Sequence, residues 1–390
     1  MKIAFYSAKP YSGGNPLVGM PFAANIVRCL AGEGHAVDLW IAESANDTER
    51  EFGLQPNVRV RYLNGFFRRG RSLRLKLARL HPAVRGDYDL AIGLGPMGAF
   101  LARKTADASN CPFVLCNDEL HSSYPGRFGA ELCLDAYRRA DAIIVPDLNR
   151  WPALLAEMPE IVQTPVFELP NSPIELLHHE GLHWSDYAGL PKGKKIVTYA
   201  GGIGGWNQIP ELLTTLPEWG DEFVLAIRPF PCCPPDHPSR KELSHLAHPK
   251  LFWINDSNVD ERMVNSLIMQ SLCTIVLYRD MGPNVEHVGL SSGKLMRSVL
   301  CGTPVVVSQI GFGDDVSSAG LGCTIKHPME IPDALVEIDR RREEFSANCQ
   351  RFSAEHDFMS SWRNVREFVL ERVGRNVERG GSLLGAIDGH

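Results

Sequence analysis

Several things are scarce in this chain, and each scarcity removes a class of protein. No apolar run approaches the ~18–20 residues that a membrane-spanning helix needs. The opening stretch has only a few apolar residues before Lys9 and Pro10. It does not read as a signal peptide, so a cytoplasmic protein is expected. Ten cysteines in 390 residues are too few for a disulfide scaffold, and no two form a CxxC pair. Reduced, buried thiols are expected. Positive charge is not in excess either, since the formal net charge is -6. A nucleic-acid partner is therefore not expected. What remains is a balance of 44% hydrophobic and 22% charged residues, which rules out a disordered, collagen-like or coiled-coil chain. The length exceeds what one hydrophobic core usually serves and implies two domains or one large one.

Apolar runs alternate with helical spacing from the first residue. Lys2–Ser7 reads as a buried strand, followed by a loop with Gly13 and Gly14. Phe22, Ile26, Val27 and Leu30 then recur on one helical face, and Gly32 or Gly34 ends that helix. His35–Ile41, Val58–Leu63, Leu90–Gly93, Phe113–Asn117 and Ala142–Val145 are further strand candidates. Strands separated by helices imply crossovers, hence a parallel sheet covered on both faces. The segment around Pro170–Pro191 is rich in Pro, His and charge and has weak periodicity. A second alternation follows: Ile196–Ala200, Phe223–Ile227, Leu251–Ile254, Cys273–Leu277, Pro304–Ser308 and Gly322–Ile325. These patterns divide the chain into a first domain over 1–175, a linker over 176–192 and a second domain over 193–355. A C-terminal helix over 356–378 and a polar tail over 379–390 follow.

The most informative stretch is Glu286–Ser308: loop, helix from about Ser292, a turn at Gly302-Thr303-Pro304, then strand. Ser291 or Ser292 is a good N-cap. Amides at a helix start, with the helix dipole, favour an anion, and Lys294 adds a full positive charge in the first turn. A phosphate would sit well here; a capped helix with a solvated lysine is the plainer alternative.

This stretch resembles the GT-B fold glycosyltransferases, in particular the retaining family 4, whose corresponding helix also ends in a glycine turn leading to Pro-Val. Met1–Ser7, Gly13-Gly14 and Gly34–Val37 look like the opening strand, loop and second strand of these enzymes. Pro170-Asn171-Ser172 resembles the close of their first domain, and Thr198–Gly202 the opening of their second. The resemblance spans roughly residues 1–375. It implies an α/β protein of two doubly wound Rossmann-like domains facing across a cleft, the first binding an acceptor and the second a nucleotide sugar. The implied activity is a metal- and cofactor-independent transfer of sugar to a glycan or lipid-linked acceptor, with Gly201, Gly202, Arg228, Glu286, Ser291, Ser292, Lys294 and Arg297 at the donor. Gly13 and Gly14 would form the acceptor or phosphate loop. Asp118, Glu119 and His121, after a first-domain strand, are the candidate catalytic residues. Asn117 stands where the family often places a histidine.

Departures accompany the likeness. The family's acidic pair falls on Gly289 and Arg297, and its Arg and Lys after the first strand of the second domain are absent. A rebuilt donor site is one outcome; a degenerate protein that binds without turnover is another. His237-Pro238 together with Ser291-Ser292 is similar to elements of CMP-sugar-using transferases. Gly93–Gly98 matches GxGxxG, with Asp118 beyond, which makes a dinucleotide oxidoreductase the rival of another class. Arg68, Arg69, Arg71, Arg74, Lys76 and Arg79 form a basic run without an acid. It is a candidate contact for an anionic membrane surface or a lipid diphosphate. His178, His179 and His183 lack the companions of a metal site.

Overall fold

A computed structural model describes residues 1–7, 21–41, 55–63, 87–120, 134–187, 189–230, 233–255, 259–312, 315–369 and 371. The chain forms two compact units. One is Met1–Pro170 together with the segment from Phe358 on; the other is Asn171–Asp357.

The first unit is built on seven strands: β1 (Lys2–Ser7), β2 (Ala36–Ile41), β3 (Val58–Tyr62), β4 (Leu90–Leu94), β5 (Phe113–Cys116), β6 (Ala142–Val145) and β7 (Val166–Glu168). Their order is β3-β2-β1-β4-β5-β6-β7, and every pair is parallel. Parallel strands need crossovers that cover both faces, which is why β4, β5 and β6 are buried at every residue. Helix α1 (Pro21–Gly32) covers one face through Phe22, Ile26, Val27 and Leu30, each 3% exposed or less. It ends where the His35 amide returns to the Leu30 carbonyl at 3.1 Å and Gly34 takes a φ of 83°.

The GxGxxG match has a packing role. It joins β4 to helix α2 (Gly95–Ser109). A Cβ on Gly98 would lie 2.5 Å from the Tyr6 carbonyl oxygen, and one on Gly93 2.5 Å from the Ala99 Cα. These glycines let α2 lie directly on β1 and β4. Asp89, before β4, accepts from the Lys2 amide at 2.7 Å, which ties the entry of β4 to β1.

The C-terminal helix, 358–369, belongs to this unit. It buries Phe358, Trp362, Val365 and Val369. A fully buried apolar side chain contributes roughly 1.5–3 kcal/mol, so the helix is a substantial part of the core. Trp362 Nε1 donates to Glu33 at 2.9 Å, and Arg366 pairs with the other Glu33 oxygen at 2.9 Å.

The second unit repeats the plan with β8 (Lys195–Gly201), β9 (Phe223–Pro229), β10 (Leu251–Trp253), β11 (Cys273–Val276), β12 (Val305–Ser308) and β13 (Gly322–Ile325), ordered β10-β9-β8-β11-β12-β13. Helices α3 (Glu261–Gln270), α4 (Gly293–Leu300), α5 (Ile331–Arg340) and α6 (Arg342–Glu355) pack around them. Much of the segment expected as a linker docks on this unit. Trp184 is fully buried with Leu190, Ala226, Ile254 and Leu267. Three side chains of α3 fasten it: Asn265 to the Leu177 carbonyl, Ser266 to the His179 amide and Gln270 to the Leu182 carbonyl, at 2.7, 2.9 and 2.6 Å. Among the described residues no helix is long and apolar enough to cross a membrane.

Burial pushes the thiols of Cys29, Cys301 and Cys349 up to about 12. Peptide mapping after iodoacetamide at pH 7.5 should find these three unmodified in native protein and labelled in urea; rapid native labelling of Cys349 would contradict the fold. Gly98→Ala should cost about 2 kcal/mol or more by overpacking against β1, read as a lower urea midpoint at unchanged slope.

Candidate functional site

In a doubly wound sheet a ligand site forms at the carboxyl ends of the strands where the order reverses. In the second unit that point lies between β8 and β11. β8 ends in Tyr199, Ala200 and Gly201, and β11 leads into Leu277 and Tyr278. Helix α4 brings Lys294 to the same place.

The cap of α4 is Ser292, one of the two serines expected there. Ser292 Oγ accepts from the Leu295 amide at 3.3 Å, while the Tyr278 hydroxyl lies 3.2 Å from it. The amides of Gly293 and Lys294 head the helix without a backbone acceptor among the described residues. Ser291 Oγ is buried without a partner among them, and its carbonyl accepts from Asn171 Nδ2 at 3.0 Å.

Lys294 reaches over the end of β8. Its stem crosses Gly201 so closely that a Cβ there would lie 2.7 Å from Lys294 Cδ. The ammonium sits between two aromatic faces, 4.4 Å from the Tyr278 centroid and 5.0 Å from that of Tyr199. It also donates to the Tyr199 hydroxyl at 3.4 Å. Tyr278 is itself held, its amide donating to Ser308 Oγ at 3.0 Å and its ring tilted against Phe312. Burial works to lower the Lys294 pKa, but the oxygens of Tyr278 and Tyr199 outweigh it, and the net shift is upward. The group is thus an ammonium at neutral pH. Burial raises the Tyr199 phenol, which stays neutral.

No carboxylate among the described residues pairs with Lys294. The other cations of this unit's candidate set are committed. Arg297 bonds Glu261 at 2.8 Å. Arg228, 6% exposed at the end of β9, donates to the carbonyls of Pro229 and Val259. Lys195, outside that set and at the start of β8, pairs with Asp339 at 2.6 Å. Glu286 is exposed at the end of the short helix Pro283–Glu286. The loop after β8 is tied down by Gly202, whose carbonyl accepts from the Tyr199 hydroxyl at 2.6 Å and Asn207 Nδ2 at 2.7 Å. His237 caps the helix Pro238–Glu242, its Nδ1 accepting from the Ser239 amide at 3.3 Å.

In the first unit, Asn117 and Asp118 follow β5. Asn117 is buried and donates to the Tyr137 hydroxyl. Arg150, 4% exposed, donates to the Asp118 carbonyl at 2.6 Å, fixing the backbone on which Asp118 and Glu119 stand half-buried. His121, Gly13, Gly14 and the basic run Arg68, Arg69, Arg71, Arg74, Lys76 and Arg79 lie outside the described residues. No cluster of three metal-ligating side chains occurs among the described residues, and His179 faces Asp260 at 3.7 Å.

The sequence reading singled out Gly201, Gly202, Ser292 and Lys294, and the structure brings these together at one strand end. It did not single out Tyr199, Tyr278, Asn207 or Arg279. The available signal was the glycine run Gly201–Gly205 beside aromatic Trp206, since glycines accumulate where a side chain must lie on the backbone.

Two Rossmann-like units of seven and six parallel strands make this the GT-B fold. No protein-family model and no curated protein matches the chain. Solved structures do. Anabaena HepE in complex with UDP-glucose aligns with a TM-score of 0.68 at 15% identity, covering 95% of this chain and 100% of that one. Sucrose-phosphate synthase from Thermosynechococcus elongatus aligns at 0.62 and 14% identity, covering 99% and 98%. WaaG, a glycosyltransferase involved in lipopolysaccharide biosynthesis, aligns at 0.61 and 12%, covering 94% and 99%. At these identities the likeness establishes the fold, while chemistry rests on the site.

Tyr199→Phe removes the hydroxyl that joins Lys294 to the Gly202 carbonyl. It should cost about 1 kcal/mol in urea unfolding; an unchanged midpoint would mean that this bridge carries no weight.

Proposed function

We propose that the protein transfers a sugar from a nucleotide-activated donor to a glycan or lipid-linked acceptor, with the leaving phosphate at the start of α4. The observation that carries this reading is Lys294, a half-buried ammonium with two tyrosines and, among the described residues, no carboxylate around it. Two cation–π contacts supply roughly 0.5–2 kcal/mol each. A phosphate oxygen at about 4 Å is worth roughly 4 kcal/mol in a surface cleft, so an arriving anion matches or exceeds the two rings together. The amides of Gly293 and Lys294 add the partial positive charge of a helix terminus. Charge developing on the leaving group meets fixed donors, which is the electrostatic part of catalysis. HepE, of the same fold, holds UDP-glucose, which favours this donor class.

On the other substrate, Asp118 or Glu119 is the candidate base for an acceptor hydroxyl, with Arg150 setting the backbone beneath them. Proton transfer of this kind contributes ~10²–10⁴-fold. The membrane or lipid-diphosphate role of the basic run remains part of this proposal.

A second reading follows from the charge count. Lys294 and a helix terminus balance a single negative charge more fully than the two of a diphosphate ester. A CMP-linked sugar fits that count.

Isothermal titration against UDP, GDP, ADP and CMP compounds tests both readings. One of these is expected to bind, and Lys294→Ala should weaken it by about 10- to 100-fold. Gly201→Ala should act in the same direction, because its methyl displaces the lysine stem. Silence from the whole panel overturns the donor assignment. Binding without product from any donor–acceptor pair would instead leave a nucleotide-sugar binder, in keeping with Gly289 and Arg297 at the family's acidic positions.

A further inference from the structure

Trp206 is the one large aromatic among the described residues that is exposed, at 47%. It is not loose. The six-membered part of its indole lies flat on the glycine loop: a Cβ on Gly204 would sit 2.1–2.5 Å from three of its ring carbons, and one on Gly202 3.2 Å from a fourth. Any side chain at Gly204 would displace the ring. The backbone beneath is clamped. The Trp206 carbonyl accepts from the Arg279 amide at 3.0 Å, and Arg279 Nε donates to the Asn207 carbonyl at 3.1 Å. Glu211 fixes that guanidinium at 2.6 Å. Asn207, 1% exposed, holds the Gly202 carbonyl from within. One face of the indole is thus covered by backbone, and the exposed remainder is presented by a braced loop.

This platform is coupled to the phosphate-binding lysine through one residue. The Tyr199 hydroxyl accepts from Lys294 and donates to the carbonyl of Gly202, on which the indole lies. An apolar aromatic surface beside a cation suits a ligand that is anionic at one point and ring-shaped next to it. In a nucleotide sugar the phosphate is flanked by the pyranose, joined through its anomeric oxygen, and by the ribose, joined through its 5′ methylene, and the base lies beyond the ribose. A pyranose presents a face of C–H groups that packs on an indole, and its bulk matches the six-membered half of the ring.

We propose that Trp206 is a pyranose-stacking platform beside Lys294. The proposal rests on the sugar-transfer reading for its ligand class. The pyranose belongs either to the donor or to the acceptor, and binding measurements separate the two. The wild-type protein, Trp206→Ala and Trp206→Phe would be titrated with UDP, UDP-glucose, CMP and a CMP-linked sugar. Saturation-transfer NMR would follow methyl glycosides added alone. For a donor ring, the sugar-bearing nucleotide should bind more tightly than the bare one. Trp206→Ala should then lose about two- to tenfold on the former and nothing on the latter, with Trp206→Phe largely restoring it. For an acceptor ring, Trp206→Ala should abolish glycoside saturation transfer and leave every nucleotide affinity unchanged. Equal weakening of bare and sugar-bearing nucleotides would overturn the proposal in favour of base stacking, as would no effect on any ligand. If no nucleotide binds but glycoside transfer depends on Trp206, the platform stands and the nucleotide-donor reading falls.

Discussion

A positive charge held by two tyrosines, with no counter-ion among the described residues, is the feature around which the second unit is arranged. Lys294 is kept charged by two tyrosine oxygens rather than by a carboxylate, so its attraction for an anion is not spent inside the protein. Keeping it there constrains its neighbours. β8 must end in a residue without a side chain, because the lysine stem passes over Gly201. Tyr278 must be held by Ser308 and Phe312 so that its ring faces the ammonium. The cap of α4 must be a small hydroxyl that serves both the Leu295 amide and the Tyr278 phenol. Among the described residues Arg228, Arg279 and Arg297 are each bonded to an acid or a carbonyl, whereas Lys294 meets no carboxylate.

Much of the framework was legible because buried parallel strands read as unbroken apolar runs. Lys2–Ser7, Ala142–Val145 and Gly322–Ile325 coincide with their expected bounds, and the other expected strands shift by a residue or two. β7 was not anticipated. It has three half-buried residues at a sheet edge, too short and too mixed to stand out from the surrounding loops. The docking of 171–190 was equally hidden. It depends on Asn265, Ser266 and Gln270 bonding to main-chain groups far along the sequence, and such bonds leave no periodic trace.

The candidate site divides in the same way. Ser292 and Lys294 were readable because a cap and a first-turn lysine are local signals. The tyrosine pair was not, since Tyr199 and Tyr278 meet only when β8 and β11 become neighbours. Arginines are visible in a sequence but their partners are not: Arg297 faces Glu261, and Arg228 turns to carbonyls. Glycine patterns are ambiguous for a related reason. Gly93–Gly98 serves close packing of a helix, whereas Gly201–Gly205 clears room for a lysine stem and an indole.

The chain leaves the first unit at Pro170 and re-enters it at Phe358. On a ribosome, the apolar surface of α1 and the central strands that Trp362, Val365 and Val369 cover must wait while all of Asn171–Asp357 is synthesised. The nascent amino-terminal half therefore carries an uncapped greasy face throughout that interval, and the inserted half has every means to fold first. Shortening the protein from its carboxyl end would wound the half that was made earliest.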